Sequence, residues 1–168
     1  MIEQLSYFSQ ITGIYAFMNT PWGWPIIESL HFVGLCLLFG TVGVFDLRLL
    51  GIASEVSYYE LSRLIPFGVA GYFINVTTGI MFVSSAPDQY LYNPAFQTKL
   101  VLMLFAGINM LVFHRWFSQT VYETPLSSPL PSNAKVIGAL SLLAWTAIIV
   151  CGRLITYYRP PYHWCIWC

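Results

Sequence analysis

This sequence predicts an all-α fold, a four-helix transmembrane bundle with an N-terminal interfacial helix, and three observations predict it. Of its 168 residues 57% are hydrophobic and only 8% charged, and the mean hydropathy is +0.66. No ordinary soluble domain of this size has that composition. The apolar residues also gather into four runs, each near the roughly 20 residues that a helix needs to cross about 30 Å of hydrocarbon. Between the runs, ASEVSYYELSR, SSAPDQYLYNP and SQTVYETPLSSPLPSNAK are polar and rich in Ser, Pro and Asn, as water-exposed connections are.

Residues 1–22 come first, as an interfacial segment. MIEQLSYFSQ has no basic n-region and no small-residue cleavage signature follows, so a cleaved signal peptide is not expected. Residues 5–19 are aromatic and only moderately apolar, and NTPWGWP separates them from the first span, which points to a helix lying in the membrane interface. The four-helix domain covers residues 23–158, with spans at about 24–47, 64–84, 97–117 and 136–157. A short aromatic and cysteine-bearing tail, residues 159–168, closes the chain.

Lys and Arg set the expected orientation. If the spans alternate, Arg48, Arg63, Arg115 and Lys135 share one side, whereas the other side has Lys99 and Arg159. The positive-inside rule then puts the first side in the cytoplasm of a bacterial inner membrane and both termini in the periplasm. Formal net charge is zero and no Lys/Arg cluster or RNA-binding motif occurs, so the lipid bilayer and other membrane subunits are the expected partners and nucleic acid is not. G-x-S-x-G, H-E-x-x-H and phosphate-cradling glycine loops are missing from the sequence, which argues against a soluble-type enzyme.

The costly residues are those that place charge inside hydrocarbon, and each is a functional-site hypothesis by default. On the first span His31 follows Glu28 by three residues and Asp46 follows it by eighteen, a whole number of helical turns, so one stripe holds all three. Lys99, Met103, Ala106, Met110 and His114 form a second stripe on the third span. Leu142, Thr146, Ile149, Val150, Arg153 and Tyr157 form another on the fourth. These stripes are expected to face the bundle interior. The second span offers Gly68, Gly71, Asn75, Thr78 and Gly79 on one face, which allows close approach of another helix or a ligand. At 1.5 Å per residue His31 sits roughly 8 Å outside its helix midpoint and His114 roughly 10 Å inside its own, too far apart for one metal ion or one haem. An outer cluster of Glu28, His31, Lys99 and Arg153 and an inner cluster of Asp46, Arg48, His114 and Arg115 are therefore expected.

The runs PIIESLHFVGLCLLFGTVGVFDLRLLG, RLIPFGVAGYFINVTTGIMF, NPAFQTKLVLMLFAGINMLVFH and ALSLLAWTAIIVCGRLI resemble the four helices of a bacterial membrane family of unknown function, similar in layout to copper-resistance D type proteins. The resemblance covers residues 23–157. It implies a four-helix bundle with Glu28, His31, Asp46, Arg48, Lys99, His114 and Arg153 in characteristic positions, and it supplies no activity.

Each candidate has a sharp and a bland reading. His31 can ligate haem iron or copper while Arg153 neutralises a carboxylate, a haem propionate or a quinone oxygen. Alternatively Glu28 and Arg153 form a buried pair that fixes two helices. His114, near Met110, is a second ligand candidate or an interfacial histidine beside Arg115 and Trp116. One histidine per cluster means that haem b needs a five-coordinate, intersubunit or His/Met arrangement, for which Met81 lies at the depth of His31. Cys36 and Cys151 read as small buried hydrophobes. In the tail HWCIWC, His163, Cys165 and Cys168 give an H-x-C-x-x-C order, a weak soft-metal candidate that is not the C-x-x-C-H of c-type haem attachment. Three functions follow: an electron-transfer subunit with haem b or another redox cofactor, a copper-binding or copper-transporting protein, and an accessory subunit with no cofactor that scaffolds a larger membrane complex.

Overall fold

The computed structural model describes residues 2–52, 56–124 and 130–158, and these are helical with no strand among them. The chain runs through α1 (Ile2–Ile11), α2 (Ile14–Met18), α3 (Gly23–Leu50), α4 (Tyr58–Ser62), α5 (Ile65–Ser85), α6 (Pro87–Leu91) and α7 (Pro94–Val112), then a π-helical turn (Phe113–Phe117), α8 (Ser118–Glu123) and α9 (Ser132–Leu154). Four segments, Gly23–Leu50, Tyr58–Ser85, Pro94–Glu123 and Ser132–Leu154, are long and apolar enough to cross a membrane. The expected all-α four-span architecture is therefore present. Large apolar side chains such as Phe32, Phe67, Phe73, Leu104 and Leu143 cover its outside, where lipid would meet them.

Local chemistry fixes the helix ends. Gly51, at φ +89°, closes α3 in a left-handed turn in which its N–H donates to the Arg48 carbonyl and the Ile52 N–H donates to the Leu47 carbonyl. Ser57 and Glu60 form a capping box on α4. Buried Asn93 caps α7: its Oδ1 accepts from the N–H groups of Ala95 and Phe96 at 3.0 and 3.4 Å. Its Nδ2 donates to the Ile155 carbonyl at 2.9 Å, which ties the start of α7 to the end of α9.

Glycines decide how the spans pack. A Cβ on Gly71 would sit 2.5 Å from the Gly34 carbonyl oxygen and 2.7 Å from the Leu38 nitrogen, so α3 and α5 meet backbone to backbone. At the other end of α3, a Cβ on Gly138 would lie 2.9 Å from Leu49 Cβ and 3.2 Å from the Asp46 carbonyl oxygen, which brings α9 against α3 there. Ala106, Ala144 and Ile148 join α7 to α9, and the Asn109 amide donates to the Ile137 carbonyl at 3.1 Å. The order of packed neighbours is α5, α3, α9, α7. Among the described residues α5 and α7 have no comparable packing, so the bundle is open along that side.

Two further cores close the ends. Met18, Ile27, Phe82, Tyr90, Ala95 and Ile155 form one, which holds α2 and the last turn of α9 at the same end of the bundle. Leu49, Tyr58, Leu61, Val121, Leu130 and Ala134 form the other. Phe113 and Phe117, at the two ends of the π-helical turn, pack onto this second core.

The expected interior stripes need correction. Buried positions on α3 include Ile27, Gly34 and Leu38, and Glu28, about 100° round the helix from Ile27, is exposed. Asp46 shares the azimuth of Glu28 yet is buried, because Gly138 of α9 crosses that face only near its inner end. On α7, Lys99, Met103 and Ala106 turn inward, but Met110 and His114 are exposed and Asn109 takes the buried position. On α9 the buried residues are Ala134, Ile137, Gly138, Ala144 and Ile148, whereas Thr146, Val150 and Arg153 are exposed, as is Tyr157 beyond its end.

Candidate functional site

His31 stands on α3, one turn before the Gly34–Gly71 crossing, with its ring directed at α5. Its Nδ1 is 2.7 Å from Thr78 Oγ1. The same hydroxyl is 2.7 Å from the Ile74 carbonyl oxygen, to which it donates. A carbonyl can only accept and a hydroxyl has one proton, so the Thr78 oxygen presents a lone pair to the ring and His31 Nδ1–H donates to it. In the neutral ring this leaves the Nε2 lone pair free. An imidazole oriented through one nitrogen with the other available is the arrangement that metal-ligating histidines adopt. Thr78 is itself 1% exposed, so the support is rigidly packed.

The other helices complete the surroundings. Phe82, one turn beyond Thr78 on α5, meets the His31 ring edge-on at 5.6 Å. Lys99 reaches inward from α7, and a Cβ on Gly152 of α9 would lie 3.6 Å from its Nζ. Cys151, the preceding residue on α9, is partly buried. His31, Thr78 and Phe82 therefore join α3 to α5, and Lys99 with Gly152 joins α7 to α9. Met81 is partly buried against the adjoining end core. Among the described residues no carboxylate forms an ion pair with Lys99.

Of the four residues expected in the outer cluster, His31 and Lys99 are the two that are partly buried. Glu28 and Arg153 are exposed on the outside of α3 and α9, so the expected buried pair between them does not form. Charges near helix ends reach the polar interface without entering the interior. Cys36 is also exposed, whereas Cys151 is partly buried, and both are free thiols.

The inner cluster is likewise split. Asp46 is 4% exposed, lies where Gly138 of α9 crosses α3, and has no partner for its Oδ2. Arg48 is equally buried, but its Nε donates to the Val56 carbonyl at 2.7 Å and its guanidinium lies 4.6 Å from the Tyr58 ring centroid. Two residues apart on one helix, Asp46 and Arg48 point in different directions. His114 and Arg115 lie in the π-helical turn and are exposed, because Phe113 and Phe117 occupy its inward side.

Thr78, Asn93 and Asn109 are groups whose roles a reading of charge misses. Thr78 stands on the small-residue face of α5, and that face was the available signal for it. Asn109 gave no signal beyond being a lone amide in an apolar run. His163, Cys165 and Cys168 lie outside the described residues. Among the described residues no three His, Cys, Asp or Glu side chains stand together as a metal-binding group. Comparison with models of protein families, with curated proteins and with solved structures gives no match.

Proposed function

We propose that the protein is an integral membrane subunit in electron transfer, seated in a bacterial inner membrane with both chain ends on the periplasmic side, and that it holds haem b or another redox cofactor at the His31–Lys99 site. The observation that carries the reading is the Nδ1–H bond to Thr78, which fixes the imidazole and leaves Nε2 for a ligand. The donor set fits haem b in two respects. His31 would supply a nitrogen ligand to the iron, and Lys99, a cation with no carboxylate beside it, would neutralise a propionate. When bound, the haem supplies a one-electron iron couple. Exposed His114 belongs to the far end of the bundle and would not reach the same group within one chain. Electron transfer also requires a donor and an acceptor, for which other membrane subunits are the partners.

Copper binding is the second reading, and soft donors favour it: the Cys151 thiol neighbours Lys99, and Met81 lies one turn beyond Thr78. The visible spectrum and metal content of protein purified from its native membrane test both. A Soret band that changes on dithionite reduction and is lost in His31→Ala is the result expected for haem. Stoichiometric copper without that band would favour the second reading. A colourless, metal-free protein that carries no quinone sinks the cofactor proposal and leaves an accessory subunit whose polar groups hold helices together.

A further inference from the structure

A polar cavity of about 510 Å³ lies between α1–α2 and the α5–α6 turn, and it shares no residue with the His31 site. Its volume falls within the roughly 300–1,000 Å³ of small-molecule sites. Two helix breaks shape it. Gly13, at φ +74°, turns the chain between α1 and α2, so that Ser6 and Gln10 of α1 and Tyr15 of α2 line the same space. Ala86 leaves helical geometry at φ −142° and Pro87 opens α6, which sets Ser84 and Ser85 together with Asp88 and Gln89 on the other side.

The lining chemistry narrows the occupant. Ser84 is 1% exposed and its hydroxyl donates to the Met81 carbonyl at 3.3 Å, so its proton is used within its own helix. Ser85 is different: its Oγ is buried with no hydrogen-bond partner among the described residues, which leaves a donor for something in the cavity. Asp88, exposed and in no ion pair among the described residues, is the one charge in the lining they form. A simple anion therefore finds repulsion there, whereas a cation or a zwitterion finds a carboxylate beside neutral hydroxyls and amides. Position selects further. Ser85 is the last residue of the spanning segment Tyr58–Ser85, and α1 exposes Tyr7, Phe8 and Ile11, which suit a membrane interface, so the cavity stands at the level of lipid head groups.

We propose that this cavity binds the ethanolamine head group of a membrane phospholipid. Asp88, at the exposed rim, takes the primary ammonium, and the Ser85 hydroxyl, on the buried floor, donates to a phosphodiester oxygen. Such a head group carries its ammonium outward of its phosphate, the same order as the carboxylate and the hydroxyl. A choline head group has no N–H to give Asp88, and a glycerol head group has no cation. The inference is independent of the redox reading, because it uses neither His31 nor Lys99.

The test is lipid retention by the full chain, extracted in mild detergent from vesicles of equal parts phosphatidylethanolamine, phosphatidylcholine and phosphatidylglycerol and read by native mass spectrometry. Phosphatidylethanolamine is expected to stay on the chain in preference to the other two. Asp88→Asn should weaken that retention about tenfold, the equivalent of one charge-assisted hydrogen bond, and Ser85→Ala should weaken it by a smaller factor. Asp88→Lys should turn the preference towards phosphatidylglycerol, a gain that a misfolded variant would not show. Glu3→Gln removes an exposed carboxylate of α1 that lies outside the cavity lining, and it should leave retention unchanged. Equal retention of the three lipids, or a preference for phosphatidylethanolamine that survives both Asp88 variants, would overturn the proposal. Displacement of the lipid by stoichiometric free phosphoethanolamine would overturn the lipid as the source of the head group.

Discussion

The Thr78 hydroxyl has one proton to give and two neighbours at 2.7 Å, and that constraint is what orients His31. Replacing it by valine keeps the shape but removes the acceptor, so a partly buried ring N–H loses its partner. Thr78→Val should therefore cost about 1–3 kcal/mol, whereas Thr78→Ser should retain most of the stability. Denaturant unfolding in detergent micelles measures both, and equal stability of the two variants would show that the hydroxyl does not hold the ring. Asn93 is a second residue with two tasks, since it caps α7 through Oδ1 and bridges to the end of α9 through Nδ2. Asn93→Ala should lower stability by about 1–2 kcal/mol through the cap alone, and more through the lost bridge. Asn93→Asp separates the two tasks, because a carboxylate keeps the cap and cannot donate to the Ile155 carbonyl. At 2% exposure and set against the Ile155 carbonyl, that carboxylate should lower the unfolding free energy by more than the lost bridge alone.

At the scale of helices, contact geometry outweighs polarity, and this explains what could be read in advance. The small-residue face of the second span was legible because Gly68, Gly71 and Thr78 differ in size from their neighbours, and all three are buried. The interior face of α9 was not legible. Its buried residues, Ala134, Ile137, Gly138, Ala144 and Ile148, are no more apolar than the Leu143 and Val150 that face outward. A bilayer is as apolar as a core, so hydrophobic patterning loses its power to tell inside from outside. Charges misled for a related reason: Glu28 and Arg153 fall near helix ends, where the interface accepts them outside the bundle. The π-helical turn had no sequence signature at all, yet it turns His114 and Arg115 outward. Glycine geometry gives the sharpest prediction at this scale. Gly71→Val forces a side chain onto the Gly34 carbonyl and should abolish α3–α5 packing, whereas Gly40→Ala, with nothing within 4 Å of the added Cβ, should be neutral or stabilising by up to about 1 kcal/mol. Thermal unfolding in detergent distinguishes them, and a well-folded Gly71→Val would contradict the close crossing.

For the molecule as a whole, the number of spans and their order were legible from length and composition, because four apolar runs of spanning length have few other solutions. The pairing of those spans was not, since the open side between α5 and α7 depends on which small residues meet in space. The arrangement separates the two ends of the bundle. Met18 of α2, Tyr90 between α5 and α7, and Ile155 after α9 belong to one core and so lie at one end, while Tyr58, Val121 and Leu130 mark the other. Arg63, Arg115 and Lys135 stand at or near the second end, which the positive-inside rule assigns to the cytoplasm. In a background with the native cysteines replaced, single cysteines at exposed Tyr15 and exposed Glu60 report the two ends. A membrane-impermeant maleimide applied to intact spheroplasts should label the Tyr15 position and spare the Glu60 position until the membrane is opened. Labelling in the opposite order would invert the topology. It would also put the His31–Lys99 site in the cytoplasmic half of the membrane, and with it the side on which any proposed electron-transfer partner must stand.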